Sequence, residues 1–338
     1  MGKINPHDYR EPQFDGPLKN PISNFLHWKR QAGYKYNGEA MMLQEIARLA
    51  QYMNCPVDNL SKDFVLQWIE KRPTNTVKTY EMRYCMIRQL GTYMKLHGYD
   101  AYIAPQINFK TRKSSFFAPY IFNESELKRF FEEVDSIHPH PQNRWQHLFY
   151  PLLYRLLLGC GLRLNEALTL KIKNVKVAHG ILSIQEAKFG KARNVPMCRS
   201  LTDRCSEYLN LCHGSSTPDD LFFPSPKGGV YSHSGIYFKY RDLLRKAHIS
   251  YGGRGHGPRI HDFRHTYAVY CLRKWLREKI ELENALLYLS IYMGHCDITG
   301  THTYLRLTTK LFPEIIDKTE AYNQNIIPIQ ENKSYEND

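Results

Sequence analysis

The sequence predicts a mainly α-helical protein in two parts: an N-terminal helical bundle, then a larger helical domain carrying a small antiparallel β-sheet. Three observations predict it. At 338 residues the chain is longer than one core comfortably fills, so two domains are expected. Apolar residues recur with a helical period through most of the chain. Between residues 174 and 197 that period shortens to the alternation of strands.

The elements follow in chain order. Residues 37–54 (NGEAMMLQEIARLAQYMN) put Leu43, Ile46, Ala47, Ala50 and Met53 on one helical face, with Glu45, Arg48 and Gln51 opposite. SKDFVLQWIEKRP reads as a second helix, with Ser61 as its N-cap and Pro73 ending it. TNTVKTYEMRYCMIRQLGTYMKLHG is a third, with Val77, Tyr80, Tyr84, Ile87, Leu90 and Met94 as its apolar stripe and Gly98 beyond its end. In YIAPQINFKTRKSSFFAPY the periodicity fails between two prolines, which marks a linker over residues 105–120. The expected organisation is thus an extension at 1–19, a helical bundle at 20–104, the linker, a second domain at 121–310 and a C-terminal segment at 311–338.

The second domain opens on NESELKRFFEEVD, where Asn123 and Glu126 have the spacing of a capping box. RWQHLFYPLLYRLLLGCG is apolar enough for a central helix, ended by Gly159 and Gly161. NVKVAHG, ILSIQEA and RNVPM read as short strands separated by the turn formers His179-Gly180 and Phe189-Gly190-Lys191. Helices resume near 200–212, 234–248, 261–279 and 283–293.

Charge and composition narrow the function. Lys and Arg number 46 against 33 Asp and Glu, a net +13, which favours a polyanionic partner, although a solvated basic surface gives the same balance. Residues 19–113 hold 15 basic and 7 acidic side chains, so the bundle and the start of the linker carry eight of that surplus. Lys110, Arg112 and Lys113 cluster in the linker as an exposed basic run. No apolar run reaches about 18 residues and the first residues lack the apolar core of a secretory signal, so the expected location is the cytoplasm. The eight cysteines form no CxxC pair and are expected as buried free thiols.

The chemistry-bearing stretch is RIHDFRHTYAVYCLRKW, residues 259–275. His261 and His265, four apart, share a helical face as zinc ligands do, but Asp262 stands where the zinc motif needs Glu and no third ligand is evident. A polar helix cap is a second reading. Phosphate recognition is a third, because His261 and Arg264 are three apart and both can donate toward one anion. Elsewhere GLRLNEALTLK carries Arg163, EAKFGKARNVP carries Lys188 at a hairpin tip, and MGHCDITGTHTYLRL carries His295 and Tyr304.

These four motifs, in this order over about 140 residues, resemble the tyrosine recombinases, the phage-integrase family of site-specific DNA recombinases. The family's GLR-x-x-E context is matched by Arg163 and Glu166, and its hairpin lysine before K-x-R-x-V-P by Lys188, with Lys191 as the second lysine. H-x-x-R-H-T is matched by His261, Arg264, His265 and Thr266, and Gly-His nine residues before the nucleophile by Gly294, His295 and Tyr304. Asn165 stands where many members have serine, and Arg306 follows the tyrosine where histidine is common.

The resemblance implies a core-binding, SAM-like bundle before an α-helical catalytic domain, cutting and rejoining double-stranded DNA through a 3′-phosphotyrosyl intermediate without metal, ATP or other cofactor. Covalent attachment keeps the ester available for rejoining, and without a metal the growing phosphate charge needs fixed cations, for which the guanidinium fork is suited. Arg163 and Arg264 take that role, Tyr304 is the nucleophile, His261 its base, His295 a phosphate donor and Lys188 the acid for the leaving oxygen. Lys110, Arg112, Lys113 and Lys191 are implied as contacts to the DNA backbone, and the nucleoid as the place of action. A homo-tetramer on DNA and accessory bending or directionality proteins are also implied. Leu311, Phe312, Ile315 and Ile316 form one helical face that either docks on a neighbouring copy or completes its own core. A type IB topoisomerase-like relaxing enzyme and a catalytically silent DNA-binding regulator are the alternatives.

Overall fold

The computed structural model describes residues 12–73, 75–107, 109, 119–185, 192–253, 257–294 and 304. They fall into two compact units, one within residues 12–109 and one within 119–304. Most of the segment expected as a linker lies outside the described residues, as does all of 1–11 and 305–338. Among the described residues no helix is long and apolar enough to cross a membrane.

The first unit is built on α1 (Lys19–Gln31), α2 (Asn37–Tyr52), α3 (Lys62–Ile69) and α4 (Val77–Leu96). Local chemistry explains where two of them start. The Ser61 side chain accepts from the Phe64 amide and that of Thr76 from Thr79, so each helix begins on a satisfied donor. α1 goes beyond the periodic segments found in the sequence. Pro21 and eight polar residues obscure its pattern, yet proline fits a first turn, and Ile22, Phe25 and Leu26 form a buried stripe. A parallel pairing of β1 (Asn59–Leu60) with β2 (Asp100–Ala101) was likewise absent from the expectations.

The bundle core gathers Leu18, Ile22, Phe25, Leu43, Ile46, Phe64, Trp68, Tyr84, Ile87, Leu90 and Met94. Buried Trp68 donates its indole N–H to the Arg83 carbonyl, while the Arg83 guanidinium stacks on the indole at 3.8 Å and donates to the Trp68 carbonyl. Two expectations need correction. Val77 is exposed, because the first turn of α4 projects past the core. Cys85 and Cys198 are also exposed: Cys85 lies one residue off the α4 stripe, and Cys198 precedes a helix, whereas Cys160 and Cys205 are buried as expected.

The second unit has seven helices among its described residues: α5 (Glu124–Asp135), α6 (Gln146–Gly159), α7 (Leu164–Leu168), α8 (Arg199–Cys212), α9 (His233–Lys246), α10 (Asp262–Arg277) and α11 (Leu282–Met293). The capping box at Asn123 and Glu126 opens α5 with both of its hydrogen bonds in place. Between α7 and α8 runs an antiparallel sheet in the order β3 (Val175–Lys176), β4 (Ile181–Ile184), β5 (Arg193–Pro196). Gly180 turns β3 into β4 with φ 61°, and β4 pairs with β5 from Ile181↔Pro196 to Ile184↔Arg193.

α10 carries the candidate residue Arg264 and follows His261, and it is fixed along its inner face. Phe263 stacks on Phe122 with centroids 5.0 Å apart and packs against Phe130, Tyr154 and Tyr240. The Thr266 hydroxyl accepts from the Phe122 amide and the Tyr270 hydroxyl donates to the Phe122 carbonyl. Further along, Ala268, Val269, Leu272 and Leu276 pack on Ala285, Leu286, Leu289 and Met293 of α11, and Tyr304 joins that cluster. The first turn of α10 is thereby held rigidly beside the ends of α6 and α11.

Candidate active site

The structure brings Arg163, His261, Arg264 and Tyr304 to one place in the second unit. Lys188, Lys191 and His295 lie outside the described residues, as do Lys110, Arg112 and Lys113.

Arg264 is deeply enclosed, 2% exposed. One of its terminal nitrogens donates to the Gly161 carbonyl at 2.6 Å and the other to the Met293 carbonyl. Two chain segments that cap α6 and α11 thus aim the guanidinium. Burial, then the neighbouring charge of Arg163, lowers its pKa to about 10, still far enough above neutrality to keep it charged.

Gly161 makes this seat possible. Its φ of 59° is a left-handed conformation, and a Cβ there would stand 2.6 Å from a ring carbon of Tyr267. Gly161→Ala is therefore expected to destabilise the protein by roughly 2–4 kcal/mol, from backbone strain plus overpacking, and to displace the carbonyl that orients Arg264. Urea melts and a cleavage assay on the variant check both effects. A loss of stability under about 1 kcal/mol would mean that the seat is looser than the geometry indicates.

Arg163 precedes α7 in an extended conformation, φ −73° and ψ 147°. Its guanidinium donates to Glu166 Oε1 at 2.7 Å and to the Gly294 carbonyl at 3.2 Å, while its backbone N–H donates to Glu166 Oε2 at 2.9 Å. This i,i+3 salt bridge lies inside a larger network. Arg193 on β5 places both terminal nitrogens on the same carboxylate, at 2.9 and 2.8 Å. Burial alone would raise the Glu166 pKa, but the Arg193 hydrogen bonds and charge, followed by the Arg163 hydrogen bonds, overcome it and hold the carboxyl at about 2.

Three guanidiniums, of Arg163, Arg193 and Arg264, thus surround one carboxylate, leaving a surplus of two positive charges. Such a surplus in a partly enclosed pocket attracts an anion.

His261 lies at the start of α10 with one side open to solvent, and Asp262 beside it is buried against Arg259. The cap reading of this turn is not met at the N-cap, where His261 makes no side-chain cap bond; Asp262 instead accepts from the Arg259 amide, ahead of α10, at 2.7 Å. Desolvation, then the charges of Arg264, Arg259 and Arg163, push the His261 pKa down to about 4, although water on the open side tempers that push. The imidazole is neutral at pH 7 and can accept a proton.

Tyr304 is 2% exposed. Its ring lies 5.6 Å from that of His265, which in turn lies 4.8 Å from His261. Burial raises the pKa of the phenol, opposed by the Arg264 and Arg163 charges. The two arginines nearest the phenol are therefore the two that favour its anion.

Arg193 escaped the sequence reading although its motif was quoted. The available signal was period two: Arg193 shares a strand face with buried Val195, so its side chain points inward and needs a partner.

Comparison with known proteins agrees with this arrangement. The profile of the phage integrase family matches residues 121–310. The protein y4rB of Sinorhizobium fredii is 24% identical over 310 residues, covering 90% of this chain and 97% of its own. The tyrosine recombinase XerA of Pyrococcus horikoshii is 25% identical over 235 residues, 70% of this chain and 72% of its own. Among solved structures, the XerH site-specific recombinase bound to its difH substrate superposes with a TM-score of 0.58 at 19% identity, over 86% of this chain and 81% of its own, and so shares the fold. With more than half of its length matched by that profile, the chain belongs to the phage integrase family and is an enzyme of the tyrosine-recombinase type, acting in site-specific DNA recombination and integration.

Proposed function

We propose that the pocket around Arg264 cleaves and rejoins double-stranded DNA with Tyr304 as nucleophile. The phenol oxygen attacks the scissile phosphorus, a bond forms from Tyr304 Oη to phosphorus, and the bond to the 5′ oxygen breaks. His261 takes the phenolic proton. Lys188 supplies a proton to the departing 5′ oxygen, and rejoining runs the same steps in reverse with another strand's 5′-hydroxyl. Arg163 and Arg264 hold the non-bridging oxygens as charge accumulates on them, and His295 donates a further hydrogen bond. Exchange between two duplexes requires four cleavages, hence four copies on DNA. Lys110, Arg112, Lys113 and Lys191 contact backbone phosphates in this reading, and the segment after residue 310 supplies contacts between copies.

The observation that carries the proposal is the burial of Tyr304 in its own chain's pocket beside two guanidiniums, with a charge surplus and no second carboxylate to neutralise it among the described partners. A library of nicked duplexes of random sequence, incubated with the full chain and quenched with detergent, tests it. The expected product is a denaturant-resistant adduct whose nuclease-trimmed peptide carries a nucleotide on residue 304. No adduct, or one mapped to another side chain, would overturn the reading. Sequencing the captured DNA also defines the site.

The low pKa of His261 adds a pH expectation. A base must be unprotonated to act, and kcat/KM reports the free enzyme. The acidic limb of kcat/KM is therefore expected below pH 6.5, the ordinary imidazole value, displaced toward 4. A limb at or above 6.5 would remove His261 from the role of base.

A further inference from the structure

Arg193 has no part in the reaction proposed above, yet it touches both groups that hold Arg163. Its side chain is only 10% exposed and spans the Glu166 carboxylate with two parallel hydrogen bonds. With the two from Arg163, that carboxylate accepts four hydrogen bonds, which leaves it no freedom to turn. The second group is the Gly294 peptide, whose carbonyl accepts from Arg163. Gly294 lies over the Arg193 side chain: a Cβ there would stand 3.4 Å from Arg193 Nη1 and 3.5 Å from its Cδ. Arg193 also forms, with Ile184, the last pair of the β4–β5 ladder, five residues after Lys188.

We infer that Arg193 is a positioning residue for strand cleavage, holding Arg163 at the phosphate through Glu166 and the Gly294 peptide. The inference rests on the reading of Arg163 as a phosphate-binding group. Without Arg193, Glu166 keeps one cationic partner and can swing with Arg163, and the floor beneath Gly294 is lost. The guanidinium fork is essential, because an ammonium reaches one carboxylate oxygen at a time.

A comparison of two substrates separates positioning from bulk stabilisation. Single-turnover cleavage is measured on the duplex captured from the library, with the scissile phosphate either in its anionic form or replaced by a neutral methylphosphonate. Arg163→Ala is expected to slow cleavage about 100-fold on the phosphate and under about 10-fold on the methylphosphonate, since the charge it neutralises is gone. Arg193→Ala is expected to follow the same pattern at about 30-fold and under about 5-fold, and the double variant to match Arg163→Ala within about 2-fold. Should Arg193→Ala melt near the assay temperature, Arg193→Lys is used below its melting point, with about a 5-fold loss expected on the phosphate only. An Arg163→Ala defect equal on both substrates would sink the reading of Arg163. If that variant responds but Arg193 variants are equally slow on both substrates, or their defect multiplies with that of Arg163→Ala, the positioning role is wrong.

Discussion

Replacing Tyr304 with phenylalanine is expected to abolish the covalent adduct while leaving the fold and DNA binding intact. The ring lies within the cluster of Ala268, Leu272, Leu286, Leu289 and Met293, and phenylalanine fills the same space. The loss is one buried hydroxyl, about 1 kcal/mol of stability. In the proposed mechanism the variant lacks the attacking oxygen, so no ester to residue 304 can form. Thermal melts, a binding titration and adduct formation on the same DNA check the three parts. An adduct from Tyr304→Phe would transfer the nucleophile to another residue and dismantle the mechanism; weak binding would show instead that the hydroxyl contributes to DNA affinity.

Arg264→Ala should be impaired twice over. In the proposed mechanism its guanidinium bears on the phosphate in the transition state, and loss of one such preorganised donor typically slows a reaction about 10²- to 10³-fold. It also satisfies the carbonyls of Gly161 and Met293 in a buried setting, so removing it leaves two acceptors without partners and a cavity, at about 3 kcal/mol or more. Arg264→Lys separates the effects. It keeps the charge and most of the volume but loses the fork, so it should recover much of the stability and little of the rate. Urea unfolding together with single-turnover cleavage measures both. Near-normal cleavage by Arg264→Lys would show that charge alone suffices and that the two carbonyls do not orient the group.

How much of this was legible in the sequence depended on the range of the interaction. Caps at Ser61 and Asn123 are three-residue events, and both appear where the pattern placed them. The helix stripes and the three short strands followed from periods that a local window records. α1 was hidden because proline and polar residues diluted a stripe of only three buried side chains. At the pocket, motif spacing singled out Arg163, Arg264 and Tyr304, but said nothing of what orients them. Those partners come from 103 and 29 residues away for Arg264 and from 131 away for Arg163, distances at which a linear pattern carries no signal. The burial of Tyr304 and the Arg193–Glu166 pair are tertiary facts of the same kind.

The double duty of Arg264 bears on how such a protein decays when selection on recombination lapses. Its side chain acts as a non-covalent cross-link between the ends of α6 and α11, so a lineage that drifts at this position is expected to lose stability along with the proposed turnover and to be cleared by proteolysis. Drift at Tyr304 removes one oxygen from a well-filled core and leaves a molecule that still occupies DNA. Silenced descendants of this chain are therefore expected to retain the buried arginine and to have discarded the phenol.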